Sequence, residues 1–126
     1  MTQLMLVTQD KPRFADFAAG IESAGGSLRW EDAGEQALAL LAEESVDLVV
    51  ADEKIGDMTG LSFVERLVKV NPMVNSAVVS SLSERQFHAA GEGLGILMAL
   101  PSEPDASDAE RLMARLHGIL GQPQRE

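Results

Sequence analysis

The chain has 126 residues, 45% of them hydrophobic, and a formal net charge of −10 at pH 7. That length fits one domain, and that apolar fraction is ample for one core. The charge, together with one Trp, four Phe and no Tyr, argues against nucleic acid or an anionic membrane surface as a direct partner, because it repels phosphates and leaves few rings for base stacking.

There is no cysteine, so disulfides and thiol chemistry are excluded. No apolar run approaches the roughly 18 residues of a membrane span. The N-terminus has no basic region followed by an apolar stretch, and the cytoplasm is the expected location.

Residues 4–7, Leu-Met-Leu-Val, form a short continuous apolar run that predicts a strand buried on both faces. Thr8, Gln9 and Asp10 make the loop after it. Over residues 12–23, Phe14, Phe17, Ala18 and Ile21 recur at helical spacing, and Gly25-Gly26 stops the helix. Residues 27–30 read as a second, shorter strand. Residues 32–44 predict a helix that buries Ala37, Leu38, Leu40 and Leu41. Residues 48–51 are the third strand, followed by the loop 52–59 and a helix over 60–70 that Asn71-Pro72 closes. A fourth strand centres on 77–79 and leads to Ser80 and Ser81. Ser83 is placed to cap a helix over 84–90. A fifth strand covers 96–99, and a last helix runs from Asp105 or Ser107 to Leu120.

Five strand–helix alternations predict an α/β fold, a doubly wound parallel sheet between two helical layers. Loops that follow the strands gather at one sheet edge, where such folds carry their chemistry. Asp52 is the most informative residue there. It is a carboxylate at the end of the apolar strand 48–51, with Gly60 opening the next helix. Such a group has the character of a nucleophile toward phosphorus. Ser80 puts a hydroxyl at the end of the fourth strand, and Pro101 follows the fifth.

Asp52, Met58, Gly60 and Leu61, with Ser80, Gly93 and Pro101 further on, resemble the response-regulator receiver (CheY-like) domains in order and spacing. The resemblance extends from Leu4 to Leu120. It implies a flavodoxin/CheY-like three-layer sandwich with strand order 2-1-3-4-5 and five helices. It also implies one domain over 1–121, with 122–126 as a polar tail or truncated linker. The implied function is that of a phosphoprotein in bacterial two-component (phosphorelay) signalling, with no enzyme activity. Asp52 is the implied phosphoacceptor and Ser80 the implied switch hydroxyl.

The departures from the family are chemical. Its acid pair falls on Thr8 and Gln9, its catalytic lysine on Leu100 and its aromatic switch position on Leu97. Gly56 stands where the family usually has Pro, and Thr59 where it often has an acid. Asp10 lies one place beyond the acid pair, so Asp10 with Asp52 would make only a weak Mg²⁺ site. No other cofactor is expected. Lys54, two residues past Asp52, is the candidate charge partner. Removing one preorganised charge-stabilising group costs about 3–4 kcal/mol in a transition state. Weak or absent phosphorylation of Asp52 is therefore expected.

The expected role is an atypical receiver, a protein-interaction or regulatory module whose partner is a histidine kinase or a downstream signalling protein. The family's dimerisation face, the fourth helix with the fifth strand and fifth helix, implies a homodimer there. The first alternative is a functional phosphoacceptor that takes phosphate from a histidine kinase at Asp52. A remote one is a small-ligand-binding flavodoxin-like module, but the loop after the first strand is not a Ser/Thr/Gly-rich phosphate loop. His88 and His117 have no acidic or cysteine partner at ligand spacing. The glycine-rich stretch 91–95 precedes a strand rather than following one, and reads as a loop.

Overall fold

The computed structural model describes residues 2–120. The expected tail at 122–126 lies outside the described residues. In chain order the elements are β1 (Thr2–Val7), a 3-10 turn (Lys11–Phe14), α1 (Ala15–Ser23), β2 (Gly26–Glu31), α2 (Gly34–Glu43), β3 (Leu48–Ala51), α3 (Gly60–Val70), β4 (Asn75–Val79), α4 (Glu84–Ala90), β5 (Ile96–Leu100) and α5 (Ala106–Ile119). The five strands form one parallel sheet in the order β2-β1-β3-β4-β5. This is the doubly wound topology expected from the sequence. Among the described residues no helix is long and apolar enough to cross a membrane.

The central strands are apolar on both faces because helices cover both faces. Leu4, Leu6, Leu48, Val50, Ala77 and Val79 point into one core, which α1 and α5 close with Phe17, Ile21, Leu112 and Leu116. Met5, Val7, Val49, Ala51 and Val78 point into the other, which α2 and α3 close with Ala37, Leu41, Phe63 and Leu67. The two sets alternate along each strand, as the period of two requires.

Local side-chain caps set three of the five α-helix starts. Thr59 caps α3 by accepting from the Ser62 N–H, and Ser83 caps α4 in a capping box with Gln86. Asp105 does the same for α5 with Asp108. Two starts differ from expectation. The stretch read as a helix from residue 12 opens as a 3-10 turn, and Asp10 before it makes no capping bond, because its carboxylate is taken by Arg13. The helix expected from Asp32 begins at Gly34, and its N-cap residue Ala33 has no side-chain acceptor to offer. The acceptor comes from another loop, as described below.

The register positions the site. Val7 pairs with Ala51 across β1 and β3, so Thr8 and Asp52 leave the sheet side by side. They do so where the chain has wound β2 to one side of β1 and β3 to the other, the switch point of this fold. Gly60 is demanded here by space. A Cβ on it would meet the Asp52 carbonyl oxygen at 2.4 Å and Val78 Cγ1 at 3.0 Å.

Gly60→Ala is therefore expected to destabilise the fold by about 1–3 kcal/mol through overpacking against backbone. Gly118→Ala, in a helical position with nothing within 4 Å, is expected to stabilise it by up to about 1 kcal/mol. Urea unfolding midpoints of the two variants should move in opposite directions.

Candidate functional site

Asp52 is the centre of the sheet edge. Its N–H donates to the Val7 carbonyl at 3.0 Å, which continues the β1–β3 ladder by one residue. Its side chain is 6% exposed. Oδ2 accepts from the Thr8 hydroxyl at 2.6 Å, and Oδ1 accepts from the Glu53 N–H at 2.7 Å and from Arg13 Nη2 at 2.5 Å. A carboxylate removed from water needs both a counter-charge and donors. Asp52 has both without any added group.

The counter-charge is Arg13, in the 3-10 turn after β1. Its guanidinium fork makes three attachments. Nη2 meets Asp52, Nη1 meets Asp10 Oδ2 at 3.2 Å, and Nε donates to the Ser102 carbonyl at 2.6 Å. One planar cation therefore joins the loops after β1, β3 and β5. Burial lowers the Arg13 pKa, but hydrogen bonds and charge from Asp52 and Asp10 outweigh it and hold the guanidinium above its ordinary value.

This corrects the expectation for Lys54. That residue is exposed, and it is committed through its backbone to a bridge with Thr59. Among the described residues its ammonium enters no ion pair, and Arg13 holds the place at Asp52.

The Lys54–Thr59 bridge closes the β3–α3 loop into a small hairpin, with the Ile55 N–H on the Met58 carbonyl at 2.9 Å and Ile55 buried beneath. Gly56 at its tip has φ +103°, a conformation closed to Pro, whose φ is fixed near about −65°. Gly at this position thus follows from the turn. A Cβ there would also strike the Gln9 side chain at 2.5 Å, so Gln9 lies against the hairpin tip. Its amide donates weakly to the Asp32 carbonyl at 3.3 Å.

Asp57, also at the tip, supplies the missing cap of α2. Its two oxygens accept from the Gly34 and Glu35 N–H groups at 2.9 and 3.0 Å. Those backbone donors, Glu35 first and then Gly34, hold the Asp57 carboxyl below its ordinary pKa.

Ser80 reaches the same edge, but its hydroxyl oxygen accepts from the Leu82 N–H at 3.1 Å in a local turn, and it is not among the donors on Asp52. The next residue makes the cross-loop tie. Ser81 donates through its N–H at 2.9 Å and its hydroxyl at 2.8 Å to one oxygen of Glu53. Leu100 is 1% exposed and belongs to the α1/α5 core, and Leu97 is half-buried against that core.

The edge as arranged does not suit a divalent ion. Asp10 and Asp52 are brought together, but with Arg13 between them. Each Asp52 oxygen is already bonded, and the nearby residues Thr8 and Gln9 are neutral. Among the described residues no three His, Cys, Asp or Glu side chains cluster as metal ligands. His88 is exposed, and His117 Nε2 lies 3.1 Å from the Thr2 hydroxyl, far along the chain from this edge.

Three residues escaped the sequence reading: Arg13 as the cation, Glu53 as the tie to Ser81, and Asp57 as the α2 cap. A signal for Arg13 existed. It is one of the few basic residues in the loops that end at this edge, with Lys11 and Lys54. Neither Asp57 nor Glu53 stands near its partner in sequence.

Residues 5–114 match the response regulator receiver domain family. No curated protein matches the sequence. Among solved structures, the chain is similar to a CheY-like receiver domain protein from Methanospirillum hungatei, at 17% identity and TM-score 0.81, covering 97% of this chain and 98% of that one. It is similar to a chemotaxis response regulator of Vibrio cholerae at 16% identity and TM-score 0.79, covering 92% and 98%. A response regulator from Burkholderia pseudomallei, solved with a phosphorylated aspartic acid, a calcium ion and citrate, is 18% identical with TM-score 0.74, covering 97% and 71%. At these identities the likeness is one of fold.

Thr8→Val keeps the shape but leaves Asp52 Oδ2 without its donor, and is expected to cost about 1–3 kcal/mol in urea unfolding. Asp57→Ala tests the borrowed cap. Folding lowers the Asp57 pKa, so its contribution is present above the ordinary carboxylate range and lost as pH falls through the folded value. The variant should melt a few degrees lower at neutral pH, and the gap to the parent should close on acidification.

Proposed function

The chain belongs to the response regulator receiver domain family, and from that premise we propose that it is an atypical receiver of a two-component system in which Asp52 is phosphorylated weakly or not at all. The observation that carries this reading is the engagement of both Asp52 oxygens by Thr8, Glu53 and Arg13. An attacking carboxylate needs a free lone pair, and three donors occupy all but about one of the four that Asp52 offers; the phosphoryl group also needs cations that act mainly in the transition state. Arg13 is bound to the resting nucleophile itself. A contact that stabilises the ground state as well as the transition state does not speed the step. Leu100, in the family's lysine position, adds no charge, and Thr8 and Gln9 add no carboxylate for Mg²⁺. Mg²⁺ would have to displace Arg13, and so is weakly held.

The role is then a signalling module in the cytoplasm rather than an enzyme. Its partners are proteins: a histidine kinase or a downstream signalling component. The face of α4, β5 and α5 is the surface we assign to them, or to a second copy of the chain. None of the α4 residues is buried, and Leu97 and Met98 on β5 are only half-covered. The net charge of −10 disfavours nucleic acid and anionic membrane. The competing reading, a working phosphoacceptor, draws on the phosphorylated aspartic acid of the similar Burkholderia protein.

Intact mass after incubation with a small phosphodonor and Mg²⁺, beside an Asp52→Asn control, separates the two. No adduct is expected under conditions that label an ordinary receiver. A phosphate adduct on the parent alone would establish the phosphoacceptor reading instead.

A further inference from the structure

We propose that Arg13 is the resident counter-ion of the sheet edge, a tethered cation that neutralises Asp52 in place of a divalent metal and keeps such an ion out. The inference rests on the reading of the chain as an atypical receiver and deepens it. It concerns occupancy and stability of the site rather than phosphoryl transfer.

The geometry carries it. Arg13 contacts Asp52 and Asp10, the two carboxylates that a cation at this edge would share, at 2.5 and 3.2 Å. Its Nε is anchored on the Ser102 carbonyl at 2.6 Å, so the fork is held from a third loop. The other cations of these loops are engaged elsewhere or exposed. Lys11 Nζ sits 5.1 Å above the Trp30 ring, and Lys54 is at the surface. A tethered group competes at a high effective concentration and has already met most of its ordering cost. A free divalent ion must also shed water, accept a guanidinium beside it, and strip Asp52 of a bond it already has.

Removing the tether should convert the edge. In Arg13→Gln, Asp52 stays buried with two donors but loses its charge partner, and Asp10 is released beside it. The variant should fold less stably and should regain stability when Mg²⁺ or Ca²⁺ binds, since a ligand of the native state raises the melting temperature.

The test is thermal unfolding and calorimetric titration of the full chain with MgCl₂ and CaCl₂, against NaCl at matched ionic strength. The melting temperature of the parent should not change between the two salts, nor should that of Arg13→Lys, which keeps the charge but melts lower than the parent because it loses the tie to Ser102. Arg13→Gln should melt lower in NaCl, rise with the divalent ion, and bind it at least tenfold more tightly than the parent. Equal divalent binding by parent and Arg13→Gln, or no gain in binding by Arg13→Gln, overturns the proposal. If Arg13→Gln does not fold, the double variant with Asp52→Asn decides. Recovery of folding supports the charge pairing, and a double variant as unfolded as the single one refutes it. A parent that binds no divalent ion yet accepts phosphate would overturn the atypical reading and leave the role of Arg13 intact. A parent that binds Mg²⁺ tightly yet takes no phosphate would do the reverse.

Discussion

A carboxylate at the end of a buried strand has given up most of its water, and the fold has to replace that water with donors and a counter-charge. The penalty is several kcal/mol for an ion withdrawn from solvent. At Asp52 it is met by bonds from a Thr8 hydroxyl, the Glu53 backbone N–H and the Arg13 guanidinium. The rest of the sheet edge is organised around that pairing. Arg13 reaches Asp52 from the 3-10 turn after β1, and its third attachment ties in the loop after β5.

Side chains borrowed from one loop to tie another recur around the edge. Asp57 reaches from the β3–α3 hairpin to the N-terminus of α2, where Ala33 offers no cap. Glu53 reaches from the end of β3 to Ser81 after β4. In a site that gathers carboxylates around a metal, such ties would come from the ion, because like charges cannot otherwise crowd together. Here neutral Thr8 and Gln9 remove the crowding, and one protein cation, Arg13, and backbone amides supply the ties.

How much of this was legible beforehand differs by element. β3 and α3 run over the expected residues, because Leu48–Ala51 is a pure apolar run and Gly60–Val70 is bounded by Thr59 and Asn71-Pro72. α4 is likewise marked by the Ser83–Gln86 box. The start of α1 was not, since the segment before it winds into a 3-10 turn whose flanking Asp10 is held by Arg13. The start of α2 was not either, because its cap lies in a different loop. Lys54 appeared the natural partner of Asp52 by proximity in sequence, yet the hairpin that pairs it with Thr59 leaves it exposed.

The sequence by itself determined the architecture. Apolar periodicity, turn residues and caps act over a few neighbours, and together they specify five strand–helix units and put Asp52, Ser80 and Pro101 at one edge. Only the tertiary structure decided which groups meet there. Arg13 stands 39 residues from Asp52, and Arg13 is 89 residues from the Ser102 carbonyl it holds. Such pairings are chosen by sheet register and loop path, which bring distant side chains within hydrogen-bond reach. No local pattern records that choice, because an arginine, an aspartate or a glutamate in a loop reads the same in sequence whether it faces water or a buried partner.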